Sequence, residues 1–326
     1  MMAHPLSSAM CLQSYLPFQK ELDNGSPFPL VLTPANGSPK GAGALASALR
    51  IQEQRSQLEE WLIRSGAILL RGFDVGTGQE FDSIIDALGW EEYNYLELGG
   101  LANRKRVHGK VLTANDLPLD WYVGYHNEAA YLTKFPSKLA FFAAKPPEPG
   151  TGGATPIVPG YVVYKRVLER KHLAEQLLDK GPVVTRSYLS DKALRTQGRQ
   201  TVETRAMKQN MTLTWLPEGG AILESKPLQP LFKKDSAGRM AIFTSIGSYV
   251  EFRKMKEDFP KMTIRFEDGT VLPDETADEL VEIMLEEEVA FPWEKGDILL
   301  VDNSAVLHSR QKCTSEEREI LVALVQ

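Results

Sequence analysis

The stretch Gly124-Tyr-His-Asn-Glu-Ala-Ala-Tyr131 decides how this chain is read. His126 and Glu128 are two residues apart, and in an extended segment residues i and i+2 point to the same face. An imidazole nitrogen and a carboxylate oxygen would then face one point, half of a metal site. A second histidine from elsewhere would complete a two-histidine, one-carboxylate facial set. That set leaves three adjacent positions open and is the geometry of non-haem Fe(II) oxygen chemistry. The pair alone has little specificity. Five histidines, each with about a 13% chance of an acid two residues on, give about 0.7 such spacings by accident.

Composition narrows the setting. At 326 residues the chain can bury a large core. A net charge of −6 argues against nucleic acid as a partner, because phosphate binding needs a concentrated basic surface. The cluster Arg104-Lys105-Arg106 is too short to change that; it is a solvated turn, or one of its arginines reaches into a pocket for an anion. Cys11 and Cys313 are the only cysteines, so neither a disulfide framework nor a thiolate metal site is available. Met1–Lys20 lacks the features of a secretory signal, the final Leu-Val-Gln is no recognisable address, and no apolar run is long enough to span a membrane. A cytoplasmic protein acting on a small molecule is expected, with no nucleic acid and no membrane partner; a homo-oligomer stays open.

Outward from the motif, residues 1–45 read as an irregular arm with one short strand at Leu30–Leu32, and residues 46–326 as a single domain. Helices are expected over Ala44–Ser65, Gln79–Leu88, Tyr161–Leu178 and Ala277–Val289, the last opened by a capping box of Thr276 and Glu279. Apolar runs at Ala67–Phe73, Lys138–Ala144, Gly296–Asp302 and Glu319–Val325 read as strands. Residues 182–272 read as short strands and loops, including Met211–Leu216 and Met240–Thr244. Strands dominate and helices flank them, so the fold class is mainly β with a closed or sandwiched sheet.

His308 follows the Ile298–Val301 run, where a histidine is either satisfied in the core or a ligand. Arg318 precedes the terminal strand. Its guanidinium could hold a carboxylate in two parallel hydrogen bonds, although the local sequence favours surface pairing with Glu316, Glu317 or Glu319. In Thr151-Gly-Gly-Ala-Thr-Pro156 the glycines allow close backbone approach to a ligand and Thr155 offers a hydroxyl; the alternative is a plain glycine turn.

In order, these segments are Gly66-Ala-Ile-Leu-Leu-Arg-Gly-Phe73, His126-Asn-Glu128, Gly152-Gly-Ala-Thr-Pro156, Gly296-Asp-Ile-Leu-Leu-Val-Asp-Asn303, His308 and Arg318. From about residue 60 onward the chain resembles the taurine dioxygenase/clavaminate synthase-like family of Fe(II)- and 2-oxoglutarate-dependent oxygenases. It is most similar to the clavaminate synthase-like branch, where Glu is the carboxylate ligand. The resemblance implies a double-stranded β-helix (jelly-roll) core with flanking helices. It also implies that His126, Glu128 and His308 bind Fe(II) and that Thr155 and Arg318 help hold 2-oxoglutarate. With O2, such enzymes oxidise an unactivated C–H bond by hydroxylation, desaturation or cyclisation, and release succinate and CO2. Retention of Glu128 argues against halogenation, because a halide needs that position.

Two departures stand out: Ala154 where the family usually has Asp, and Val322 where many members carry a second arginine, a task Arg310 or a lysine would share. Arg106, His108, Asn115, Tyr122, Tyr125, Asn127 and Arg310 are the candidate polar contacts to substrate, a carboxylate-bearing molecule such as an amino acid or natural-product intermediate. The rival readings are a non-catalytic jelly-roll binding module and a 2-oxoglutarate-independent metalloenzyme on the same fold.

Overall fold

The computed structural model describes residues 10–13, 16–98, 104–114, 117–191, 194–195, 198–225, 230–254 and 261–326. The apolar run at Ile298–Asp302 lies inside an eight-stranded sheet. Its order is β1 (Met10–Gln13), β4 (Leu30–Pro34), β5 (Ala67–Leu70), β17 (Ile298–Asp302), β9 (Lys138–Lys145), β19 (Glu319–Val325), β7 (Val111–Thr113) and β6 (Arg106–His108), numbered along the chain. β4 and β5 are parallel, and the other neighbours are antiparallel.

The inner strands β5, β17, β9 and β19 are apolar runs with both faces covered. Ile68, Leu70, Ala140, Phe142, Ile298, Leu300, Leu321 and Ala323 pack on helices Ala42–Leu49, Gln52–Ser65 and Gly78–Leu88. The alternate residues Leu69, Leu139, Phe141, Leu299, Val301, Val322 and Leu324 face the opposite way, onto a second sheet. That sheet is β10 (Ile157–Pro159), β18 (Val306–Arg310) and β8 (Val123–His126), and it meets the first through Ile157 and Val306. Its outer face, with Tyr125, Val158 and Leu307, is covered by helices Gly160–Glu169, Ile246–Lys254 and Asp274–Glu287. Two sheets thus lie face to face between helical layers.

A four-stranded sheet, β12 (Thr212–Trp215), β13 (Ala221–Glu224), β11 (Val183–Leu189) and β16 (Lys261–Phe266), occupies most of the middle region. The pairs β14 (Phe232–Lys234) with β15 (Met240–Ile242) and β2 (Lys20–Glu21) with β3 (Pro27–Phe28) complete the strands. No helix among the described residues is long and apolar enough to cross a membrane.

Several local expectations are corrected. The strand expected at Leu30–Leu32 is present, but not within an irregular arm: Leu30, Val31 and Leu32 are buried, and their strand pairs in parallel with β5. The helix expected over Ala44–Ser65 is two, Ala42–Leu49 and Gln52–Ser65, because Ile51 is extended. The second of these ends at Gly66, with φ 80, where an added Cβ would stand 2.8 Å from Val306 Cγ2. The helix expected over Tyr161–Leu178 breaks at Arg170. Thr276 is not a cap: the helix starts at Asp274, and the Thr276 hydroxyl donates to Gln176 at 2.6 Å. A capping box is instead made by Thr77 and Glu80. Helices Arg199–Lys208 and Ile246–Lys254 occupy stretches read as strands and loops.

Candidate metal centre and its cavity

β8 and β18 pair so that His126 and His308 stand directly opposite each other, which puts both side chains on one face. Their ring centroids are 4.3 Å apart, and the His308 ring lies 5.2 Å from Phe141 of the large sheet. The histidines therefore point between the two sheets. Glu128 joins them, and ligand atoms of all three residues lie within 4.8 Å of one another. It arrives from a turn and not from the strand, which ends at His126; the chain turns away at Ala129, with φ 57. Convergence of His126 and Glu128 thus holds, but not through the strand alternation that suggested it.

Hydrogen bonds fix that turn. Asn303, immediately after β17, accepts from the Glu128 N–H at 2.7 Å and donates to the Glu128 and Pro136 carbonyls at 3.0 and 2.8 Å. Asn127 donates to the carbonyls of Asn303 and Val306 and accepts from the Thr244 N–H. Each amide is fully buried and engaged at both ends. Arg104 lies over the Tyr95 ring and donates to Glu128 Oε2 at 2.9 Å and to the Ala114 carbonyl. Burial opposes its charge, but the Glu128 carboxylate and Tyr95 together outweigh it, and its pKa is raised. Of the two readings of the Arg104-Lys105-Arg106 cluster, Arg104 takes the pocket-facing one. Arg106 pairs with Glu92 at 2.6 Å.

The imidazoles suit a metal. Burial lowers the His126 pKa, and its Nδ1 sits 2.8 Å from the Gly124 carbonyl, leaving Nε2 for coordination. Burial, with His126 and Arg104 close by, holds His308 well below the ordinary histidine value. Its Nδ1 is buried without a hydrogen bond among the described residues, and its Nε2 is 4.0 Å from Glu128 Oε2. A buried, neutral imidazole with so little hydrogen bonding fits a ligand better than a core residue.

Beside the triad, Thr155 and Arg318 come together. Arg318 donates to the Gly153 carbonyl at 2.7 Å and to Thr155 Oγ1 at 3.3 Å. Trp293 Nε1 also donates to Thr155 Oγ1, at 3.1 Å. With two donors on its oxygen, the hydroxyl has its proton left to give. Arg318 makes no ion pair with Glu316, Glu317 or Glu319, and burial, with Arg310 adding, pushes its pKa down to about 10. A half-buried guanidinium that donates only to neutral oxygens among the described residues is suited to an anion. Gly152 and Gly153 serve this packing: added Cβ atoms would meet Lys312 O at 2.2 Å and Arg318 Cδ at 2.9 Å, respectively.

The substrate candidates fare differently. Asn115 lies outside the described residues. Tyr125 is fully buried on the outer face of its sheet, and its hydroxyl donates to Glu288. Asn127 is committed to the turn. Arg310 donates to the carbonyls of Leu117, Pro118 and Trp121 at 3.1, 2.5 and 3.0 Å, so its terminal nitrogens secure a loop. His108 stands 3.8 Å from Asp82, and Tyr122 donates to Ser309 at 3.4 Å. Alternation along β8 could have shown that Tyr125 and His126 face opposite ways. Asn303 was visible only as the last residue of the Gly296–Asn303 segment, and Arg104 only as one of a basic cluster; neither position showed that it meets Glu128.

A cavity of about 330 Å³ opens onto the triad, Thr155 and Arg318. Its other wall comes from β11, β13, β16 and Gln209, the residue after helix Arg199–Lys208. Arg104, Arg205, Arg310 and Arg318 line it, with Glu128 the only acidic lining residue among those described.

Residues 32–324 match the profile of a family described as "Taurine catabolism dioxygenase TauD, TfdA family". The chain belongs to the TauD/TfdA family. Within this dioxygenase family it is similar to a clavaminate synthase-like protein of Arabidopsis thaliana, 34% identical over 322 residues that cover 94% of this chain and 96% of that one. It is also similar to the dapdiamide synthesis protein DdaC of Enterobacter agglomerans, 27% identical over 284 residues, with coverages of 82% and 84%. The fold is shared with PvcB of Pseudomonas aeruginosa, at TM-score 0.55, 15% identity and coverages of 100% and 94%. It is also shared with AAD-2, solved with Mn(II) and N-oxalylglycine, at TM-score 0.52, 14% identity and coverages of 97% and 96%.

Proposed function

We propose that this TauD/TfdA-family chain is an Fe(II)- and 2-oxoglutarate-dependent oxygenase that oxidises an unactivated C–H bond of a small anionic molecule. Its facing sheets are read as the halves of a double-stranded β-helix, within a single domain over residues 46–326. The observation that carries the reading is a single cavity in which a His126–Glu128–His308 cluster stands beside Arg318, a half-buried cation without a carboxylate partner among the described residues. His126, Glu128 and His308 would hold the iron, and Arg318 and Thr155 a carboxylate of 2-oxoglutarate. With both bound, iron, 2-oxoglutarate and O2 supply the oxidising power, at the cost of one 2-oxoglutarate converted to succinate and CO2.

The protein's own groups do the rest. Asn303 and Asn127 hold the turn that presents Glu128, the Gly124 carbonyl orients His126, and Arg104 holds the Glu128 carboxylate by a hydrogen bond. Phe141 and Phe243 line the cavity and exclude water.

Charge bears on the substrate. Among the described lining residues four arginines face one glutamate, and a divalent metal with dianionic 2-oxoglutarate leaves the excess of positive charge unchanged. That excess supports a carboxylate-bearing substrate, such as an amino acid or natural-product intermediate; one relative is named for dapdiamide synthesis. Hydroxylation, desaturation and cyclisation all fit this site. A non-catalytic binding module would have no use for three competent ligands beside an anion-ready arginine.

Anaerobic titration with Fe(II) and then 2-oxoglutarate tests the reading. Development of the weak visible charge-transfer band of the chelate is expected, followed by substrate-dependent succinate release in air. Folded protein that takes up iron but gives no band would point to a metalloenzyme that does not use 2-oxoglutarate.

A further inference from the structure

The cavity wall opposite the metal centre is one face of the four-stranded sheet. Along its central strand, β11, the alternate residues Val183, Thr185 and Ser187 turn to the cavity. Ser187 stands directly opposite Leu223 on one neighbouring strand and Met262 on the other, and Thr185 opposite Ile264. Those three neighbours line the cavity as well. The intervening Arg186 takes the other face, where its Nε lies 3.8 Å from Glu224. An apolar sheet face is ordinarily buried against a second layer. Here helix Arg199–Lys208 packs beside Leu189 at one end of the face, and helix Ile246–Lys254 beside Phe266 at the other. Between those ends the row Leu223–Ser187–Met262 meets the cavity that holds the triad. Val183, Thr185, Ser187 and Met262 stay half-buried, and the Thr185 and Ser187 hydroxyls make no hydrogen bond among the described residues. This part of the face is open and not packed shut.

We propose that the missing cover is the substrate: an anionic molecule whose apolar body, aliphatic or aromatic, lies across this row with Ser187 beneath it. The inference rests on the oxygenase reading for the purpose of the cavity, and it names the substrate class that reading leaves open. The chemistry selects an apolar body. A polar one would give up its hydration against Leu223, Met262 and Ile264 and find only two hydroxyls in return. An apolar one removes its own surface and that of the wall from water together, and the unbranched Met262 adapts to its outline. Size is bounded as well. At about 330 Å³ the cavity is at the small end of ligand sites, and 2-oxoglutarate takes part of it. The body is therefore a single ring or a chain of similar bulk.

The test uses the full chain loaded anaerobically with Fe(II) and saturating 2-oxoglutarate, which keeps small carboxylates off the co-substrate site. Calorimetric binding is measured for two series in which the anionic head is fixed and the body grows. One is the straight-chain carboxylates from propanoate to decanoate; the other is N-acetylglycine and the N-acetyl derivatives of L-alanine, L-leucine and L-phenylalanine. In at least one series the best member should bind about ten-fold or more tighter than the smallest, the effect of burying roughly two methylenes. Ser187→Phe fills the middle of the wall and removes no hydrogen bond among the described residues. It should reduce that gain to about three-fold or less, and leave both the smallest member's affinity and the 2-oxoglutarate band as they were. Ser187→Leu makes the same comparison if the phenylalanine variant misfolds. Flat affinity across both series, or a gain that survives the substitution, overturns the proposal. If the wild type gives no chelate band, the oxygenase reading is what fails, and the same two series on the metal-free chain still judge the wall.

Discussion

The two walls of the cavity use their polar groups in opposite ways. Around the triad nearly everything is tied: Asn127 and Asn303 are engaged at both ends, Arg104 holds Glu128, and His126 rests against its own backbone. Across the cavity Gln209 makes no side-chain hydrogen bond among the described residues. The first wall is preorganised, as a metal site must be if its ligands are to converge before the ion arrives. The second leaves hydrogen-bonding capacity unused in a buried place, which is a cost to stability.

The contrast can be broken most decisively at the ligands. His126→Ala and His308→Ala should each abolish iron retention after dialysis, while circular dichroism stays native, because the sheets are held by apolar packing. Full iron occupancy with turnover in either variant would remove the triad from the argument.

A smaller but still large effect is expected at Arg318. Arg318→Leu should weaken 2-oxoglutarate binding by on the order of 2–5 kcal/mol, the range for a desolvated charge-assisted pair, and hardly change Fe(II) affinity. Arg318→Lys should rescue only in part, since an ammonium cannot form two parallel bonds. Superimposable 2-oxoglutarate titrations of wild type and Arg318→Leu would take this residue out of the co-substrate site.

Asn303→Ala sharpens the claim that the metal wall is preorganised. Three hydrogen bonds are lost and the Glu128 turn loosens, so stability should fall by about 2–4 kcal/mol and metal affinity by roughly 10- to 100-fold. Denaturant unfolding and metal titration measure the two separately; lost stability with unchanged metal affinity would make Asn303 purely structural.

The least change is expected at Tyr125, which faces the helices and not the cavity. Tyr125→Phe should cost about 1 kcal/mol for one hydrogen bond and leave the affinities for iron, 2-oxoglutarate and substrate as they were. A marked change in substrate KM would return Tyr125 to the site.

How far the sequence could be read follows from the range over which each signal acts. The large sheet was readable because β9, β17 and β19 are apolar runs buried on both faces, and such runs need no knowledge of what covers them. Helix Arg199–Lys208 was not, because only Val202 and Ala206 of its ten residues are buried, too weak a pattern to show periodicity. Leu30–Leu32 reads as one short strand of an irregular arm because its parallel partner, β5, lies more than thirty residues away.

By itself the sequence determined the His-x-Glu spacing, the candidate second histidine, and the order of motifs that marks the family. It could not determine which polar residues nearby would serve the site and which the scaffold. Tyr125, Asn127 and Arg310 lie as near the motifs as any ligand does, yet the fold turns them to Glu288, to the Glu128 turn and to the Leu117–Trp121 loop. Asn303, Arg104 and Gln209 reach the site or its cavity from 175, 24 and 81 residues beyond or before Glu128. Local pattern reports which side of an element is buried. Which partner a buried polar group meets, or whether it meets one, depends on distant strands and loops brought together, and only the tertiary structure decides that.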